Sequence, residues 1–290
     1  MAQNKSSPEC IGIVGLGLIG GSLGLDLQAL GFEVHGLVHK STTAEKARAR
    51  GLAQLISTDP KILSDCDLII LALPLDQLLE PSQSLIDALP TSAVVTDVGS
   101  VKEPVLKVWR KLHPRFVASH PMAGNANAGV EAGHRGLFKD RHWVTTPDIN
   151  TNSEALEKIR QLALALGSQW ITAKPEMHDQ AVALISHLPV LISAALIRTV
   201  GNERNPSLLV LARQLASSGF ADTTRIGGGN PRLGTAMMEN NSPAILRALT
   251  SYRWSLEQFE EAILTKHWAE IQAELEKTQI LRPEFLENSP

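Results

Sequence analysis

The chain has 290 residues, 43% of them hydrophobic and 20% charged, with a formal net charge of -3. Its length exceeds the usual size of one domain and predicts two, each able to bury its own core. A slightly acidic chain has no attraction for a polyanion, and aromatics at 4% supply few stacking platforms, so nucleic acid is excluded as a partner.

The two cysteines, Cys10 and Cys66, lie far apart and match neither a disulfide framework nor a metal-ligand spacing. They predict a reducing compartment and no metal centre. "MAQNKSSPEC" has no apolar leader core, and apolar runs such as "LIILALPL" are too short to span a bilayer. A cytoplasmic protein without membrane contact is expected.

From Ile11 to about Ala173, β-rich apolar runs alternate with helical patterns: "IGIVG", "FEVHGLV", "DLIILALP", "AVVTDV", "RFVASHP", "HWVTTP" and "QWITA". Such alternation requires crossover connections and hence a parallel sheet. The runs are continuously apolar, as in strands covered on both faces. The expected fold class is α/β, with a Rossmann-type doubly wound domain over residues 1–173. Residues 174–290 carry no strand pattern; "HDQAVALISHLPVLISAALIRTV" and the long segments after it are helix-periodic and predict an all-α domain. The first of these helices is apolar on most of its circumference and so must be buried all round. Other helices wrapped round it, or a second copy of the chain, can hide it, and a homodimer through this domain is expected.

"IGIVGLGLIGGSLGLDLQALG" places Gly15, Gly17 and Gly20 in G-x-G-x-x-G order, directly after an apolar strand and opening a helix. That context separates the dinucleotide fingerprint from a chance match. Gly15 permits the tight turn, Gly17 lets the backbone approach a pyrophosphate, and Gly20 lets helix and strand pack closely. The helix start at Leu18, Ile19 and Gly20 then presents free N–H groups to the phosphates.

About 20 residues past the first glycine, a site for NAD carries Asp or Glu on the ribose hydroxyls. Here the chain reads Leu37, Val38, His39, Lys40, Ser41, Thr42. Lys40 attracts an extra phosphate that an acid would repel, His39 can donate or stack, and Ser41 and Thr42 can hydrogen-bond to its oxygens. NADP is the expected cofactor, although an exposed lysine in a solvated loop is also common. Two later strand ends complete the cleft: Leu73 and Pro74, and the segment "TDVGSVK". In the latter, Ser100 and Lys102 are candidates for the nicotinamide region, or simply mark a helix start.

"ASHPMAG" places His120 at the end of a strand. An imidazole titrates near neutral pH, so it can take a hydroxyl proton while hydride leaves the same carbon. With these motifs in order, "GLGLIGGSL", "TDVGSVK", "SHPMAG", "HDQAVALISHLP" and "DTTRI", nearly the whole chain resembles the prephenate and arogenate dehydrogenases of tyrosine biosynthesis. The likeness is to stand-alone, NADP-using arogenate enzymes.

That resemblance implies an oxidative decarboxylation of a cyclohexadienol in which hydride passes to NADP+ and the ring carboxylate leaves as CO2. His120 matches the histidine that hydrogen-bonds the ring hydroxyl, and Ser100 a serine that orients either one. Arg225 aligns with the arginine that holds a substrate carboxylate, where an ordinary surface ion pair is the plainer alternative. The glycines Gly227 to Gly229 can let amides approach an anion. On the first long helix, Asp179, Ser186 and Val190 are spaced to share one face, with His187 beside Ser186 and His178 at the helix start. In the family this face enters the active site; the same polar groups can instead satisfy one another inside an interface.

Two positions depart from the prephenate pattern. Val190 replaces the last histidine of S-H-x-P-H, and Gly234 stands where many relatives have tryptophan. Both touch the side-chain pocket and favour arogenate over prephenate. The rival readings are a hydroxyisobutyrate- or pyrroline-carboxylate-type enzyme, which would use a different catalytic residue, and a non-enzymatic NADP sensor, which has no use for His120 and Arg225.

Overall fold

The computed structural model describes residues 9–125 and 127–286. The expected absence of a leader concerns residues 1–8, which lie outside the described residues. The chain forms two compact units, residues 1–179 with 230–240 and residues 180–229 with 241–290. By contacts the division falls after Asp179, a few residues beyond the expected 173/174, and one later helix groups with the first unit.

The first unit holds β1 (Cys10–Val14), α1 (Leu18–Ala29), β2 (Glu33–Leu37), α2 (Ser41–Ala49), β3 (Leu55–Ser57), a 3-10 turn (Pro60–Leu63) and β4 (Leu68–Leu71). There follow α3 (Leu75–Leu79), α4 (Gln83–Ala88), β5 (Val94–Asp97), α5 (Glu103–Leu112), β6 (Phe116–Val117), β7 (Ser119–Pro121), β8 (His142–Thr145), α6 (Ser153–Ala165) and β9 (Gln169–Thr172). Six strands form a parallel sheet in the order β3-β2-β1-β4-β5-β6. This is the doubly wound order, with its switch point between β1 and β4. The short edge strand β3 was not foreseen, because "LIS" is too short to show a period.

Alternation along β1 explains the two layers. Ile11 and Ile13 enter one core with Leu23 and Leu27 of α1 and Ile159 of α6, whereas Cys10 and Val14 enter the other with Leu78, Val105 and Trp109. Both faces are therefore apolar, as a parallel sheet covered by helices requires. The expectation of one parallel sheet fails at its end. β7 leaves the main sheet and pairs antiparallel with β8, which pairs parallel with β9, in a separate three-stranded sheet.

His113, which closes α5, accepts a hydrogen bond from the Arg115 N–H at Nδ1 (3.3 Å) and faces the Pro90 carbonyl with Nε2 (3.0 Å). One neutral tautomer satisfies both contacts. Burial lowers its pKa from the ordinary value, opposed by the Pro90 carbonyl. The unfolded ring takes up a proton near pH ~6.5 and the folded ring resists it, so acidification through that range favours unfolding. The melting temperature is expected to fall as pH drops below about 6.5, and His113→Gln to remove part of that fall. Identical pH dependences of wild type and variant in differential scanning calorimetry would refute the assignment.

After β9 come α7 (Pro175–Val182), a π-helical turn (Ala183–His187), α8 (Leu188–Gly201), α9 (Pro206–Leu215), α10 (Ser218–Thr224), α11 (Pro231–Asn240), α12 (Ser242–Leu264) and α13 (Trp268–Leu286). Of these, α11 belongs to the first unit. The helical run Pro175–Gly201 has 27 residues and is apolar enough, by length and composition, to cross a membrane. This corrects the expectation that every apolar run is too short; counting only uninterrupted stretches missed a helix that carries a few polar residues. Within the single chain Leu184, Ile185 and Ile197 are exposed, so this chain alone does not complete the burial expected of the helix.

Candidate active site

The glycine turn sits at the carboxyl end of β1, beside β2, where the Gly15 N–H donates to the Leu37 carbonyl (2.8 Å). The backbone at Gly15 has φ +93, and a Cβ there would lie 2.4 Å from the Ala72 carbonyl oxygen. At Gly20 a Cβ would meet the Gly15 oxygen at 1.9 Å, so helix and turn touch only because both positions are bare. Around Gly17 a Cβ would meet nothing within 4 Å, leaving open backbone at the head of α1. These three environments fit the three roles a pyrophosphate site assigns to its glycines. Leu18 and Ile19 open α1, whose first turn carries no acid, so its N–H groups and positive helix end face that space unopposed.

His39, Lys40, Ser41 and Thr42 are exposed where β2 runs into α2, which likewise has no acid in its first turn. Leu73 is half-buried and Pro74 exposed beyond β4, at the same edge of the sheet. The chain after His120 also folds back here. The His134 N–H donates to Ser22 Oγ (3.0 Å), and a Cβ on Gly133 would lie 3.0 Å from the Gly21 backbone. The second glycine of "GGS" was the signal for this close approach, and sequence reading did not use it.

His120 stands in β7, half-buried. Its neighbour Ser119 fastens this strand to the end of β5, donating from N to Asp97 Oδ1 (3.2 Å) and from Oγ to the Asp97 carbonyl (2.7 Å). Nδ1 of His120 lies 2.9 Å from Nε2 of His178, and Nδ1 of His178 lies 2.8 Å from Asp179 Oδ1. A carboxylate only accepts, so His178 donates from Nδ1 and, when neutral, accepts at Nε2. His120 then donates from Nδ1, and its Nε2 carries the lone pair. The order carboxylate, imidazole, imidazole fixes which nitrogen is the base.

Several predicted site residues take other roles. Lys102, expected near the nicotinamide, is 0% exposed; its ammonium is paired with Asp97 and donates to the Ser119 carbonyl (2.7 Å). It holds the loop between β5 and α5 from beneath. Asp179, expected to face substrate, accepts from the backbone N–H of Lys102 (2.7 Å) and Glu103 (2.9 Å), capping α5 as well as orienting His178. Ser100 is half-buried on the loop thus pinned at its far end. The shared face of Asp179, Ser186 and Val190 presumed an unbroken α-helix, and the π turn at Ala183–His187 breaks that spacing.

In the second unit, Ser186 is half-buried on the π turn. His187 is fully buried, with Nδ1 at 3.1 Å from Asn241 Nδ2. Arg225 is exposed at the end of α10. The Gly227 amide, expected to be open to an anion, donates to Ser193 Oγ (2.8 Å), and a Cβ there would lie 2.5 Å from the Ala194 nitrogen. That glycine lets the turn after α10 pack against α8.

Sheet order, a glycine turn shaped for a dinucleotide and an oriented imidazole tied to the same sheet edge together define a nicotinamide-dependent dehydrogenase. Residues 23–172 match the family model described as prephenate dehydrogenase, nucleotide-binding domain, and residues 174–277 that described as prephenate dehydrogenase, dimerization domain. The chain belongs to the prephenate dehydrogenase family. It is 33% identical over 261 residues to the cyclohexadienyl dehydrogenase of Zymomonas mobilis, covering 88% of this chain and 89% of that one. Among solved structures, the arogenate dehydrogenase of Synechocystis is 40% identical, with a TM-score of 0.82 over 96% of this chain and 100% of that one. The prephenate dehydrogenase of A. aeolicus, solved with hydroxyphenyl propionate and NAD+, is 27% identical, with a TM-score of 0.90 over 97% of this chain and 100% of that one.

Proposed function

We propose that this protein carries out the NADP-dependent oxidative decarboxylation of arogenate to tyrosine. The observation that carries the chemistry is the chain from Asp179 through His178 to His120. A dinucleotide whose pyrophosphate is held by the glycine turn would supply the acceptor for the hydride. His120 Nε2 accepts the ring-hydroxyl proton as hydride leaves the same carbon, and loss of the ring carboxylate as CO2 makes the ring aromatic. Asp179 and His178 keep the His120 lone pair on Nε2, and the Asp97–Lys102 pair keeps its strand in place. Arg225 is proposed to anchor a substrate carboxylate, Ser100 to orient the hydroxyl or the histidine, and Ser186 to contact substrate.

NADP is preferred in this reading because the end of β2 offers His39, Lys40, Ser41 and Thr42 in place of an acid. Arogenate is preferred because Val190 and Gly234 depart from the prephenate pattern and because of the 40% identity to an arogenate dehydrogenase. Prephenate, giving 4-hydroxyphenylpyruvate, is the second reading, favoured by the family's prephenate-named members. The protein is proposed to act as a cytoplasmic homodimer: the helical unit exposes Leu184, Ile185, Trp254 and Leu264 in the single chain, and its sequence matches a dimerization domain.

The test is turnover of arogenate and prephenate with NADP+ and NAD+ in turn, followed by absorbance of the reduced cofactor. Arogenate with NADP+ is expected to give the highest kcat/KM. Exchanging Lys40 for Glu is expected to weaken NADP+ by roughly tenfold to a hundredfold, as a charged hydrogen bond worth about 1.5–3 kcal/mol is lost. An unchanged KM for NADP+ would remove this loop from cofactor recognition.

A further inference from the structure

At the opposite edge of the main sheet from the glycine turn, three soft donors converge. Cys10 begins β1, Cys66 precedes β4, and His35 lies on β2 in register with Gly12. All three are buried, at 8%, 4% and 7% exposure. Their ligand atoms lie within 4.8 Å of one another, with the two Sγ atoms 3.3 Å apart and Cys66 Sγ 3.8 Å from His35 Nδ1. No metal spacing shows in the sequence, because Cys10 and His35 sit 56 and 31 positions from Cys66 and meet only through parallel strand pairing.

The surroundings of His35 point to a cation. Its Nε2 lies 3.0 Å from Glu33 Oε1 and its Nδ1 2.9 Å from the Ile62 carbonyl oxygen. Both neighbours are acceptors, and a neutral ring can donate to only one of them, leaving a lone pair against an oxygen at the other. A second ring proton or a cation at Nδ1 removes that conflict. A carboxylate on the far nitrogen of a histidine is also the usual outer support of a metal ligand. Two thiolates, a neutral imidazole and a divalent ion sum to zero charge, which suits so dry a place.

We propose that Cys10, Cys66 and His35 form a buried site for one thiophilic divalent cation of the zinc class, with Glu33 orienting His35. The Ile62 carbonyl oxygen is a fourth donor at hand. Binding releases the two thiol protons to solvent and forms two metal–sulfur bonds and one metal–nitrogen bond, with no change of oxidation state. The site clamps the starts of β1 and β4 to β2, away from the cofactor edge, and its role is structural.

The test uses the reduced, chelator-treated full chain titrated with Co2+ and then Zn2+. One Co2+ per chain, with a thiolate-to-cobalt charge-transfer absorption displaced by Zn2+, is expected, together with a higher melting temperature. Glu33→Gln is expected to stay folded and active and to bind about 10- to 100-fold more weakly. Cys10→Ala is expected to abolish the absorption. No such absorption in the wild-type chain, an undiminished one in Cys10→Ala, or loss of both free thiols to hydrogen peroxide without uptake of either metal would each overturn the site; the last would identify a disulfide-forming pair.

Discussion

Replacing His120 by Ala is expected to lower kcat/KM by about a hundred- to ten-thousandfold, the usual worth of a positioned general base. The reason is geometric. The imidazole is held on one side by His178 at 2.9 Å and along its strand by Ser119, so no other group inherits its place when it is removed. Affinity for the oxidised cofactor, read by fluorescence quenching or calorimetry, is expected to stay near wild type, because the glycine turn and the β2 end are untouched. His178→Phe keeps the volume but removes the acceptor that orients His120 Nδ1, so kcat is expected to fall with little change in KM. If His120→Ala retained activity within about tenfold of wild type, the base role would have to be given up.

Lys102→Met is expected to destabilise the fold by about 3–5 kcal/mol, since it strands a buried carboxylate. Asp97 and Lys102 are both 0% exposed. Burial pushes the Asp97 carboxyl up and the Lys102 ammonium down from their ordinary values, while the pairing pulls both back and amide donors from Gly99 (2.8 Å) and Ser119 also favour the carboxylate. Removing one partner keeps the desolvation and loses the compensation. Against a total stability of about 5–15 kcal/mol, the single variant becomes marginal. The double variant Asp97→Leu with Lys102→Met removes both charges and is expected to recover much of the loss. Urea midpoints of the three proteins decide it; a Lys102→Met midpoint equal to wild type would show that the pair contributes nothing.

These two effects differ in how far ahead of the structure they could be read. His120 announced itself by chemistry, an imidazole closing an apolar run in "ASHPMAG". Lys102 did not, since a lysine two residues after a loop serine looks the same in sequence whether it reaches a ligand or turns inward to a carboxylate. The partner that decides it, Asp97, stood five residues away in the same quoted motif. Asp179 misled in the same manner: its spacing to Ser186 and Val190 presumed an unbroken α-helix, which the π turn interrupts, and two amides at the head of α5 engage its carboxylate.

What the amino-acid order by itself determined was local. Two-sided apolar strands, the three bare positions of the glycine turn and the absence of an acid after β2 depend on neighbours a few residues apart, so periodicity and steric need expose them. Only the tertiary structure decided what depends on distant residues: the His120 and His178 contact across 58 positions, the departure of β7 from the parallel sheet, and the meeting of two cysteines with His35. Those contacts arise from strand order and from the burial of charge. Neither leaves a mark in sequence spacing, because both are settled by which surfaces exclude water together once the chain has folded.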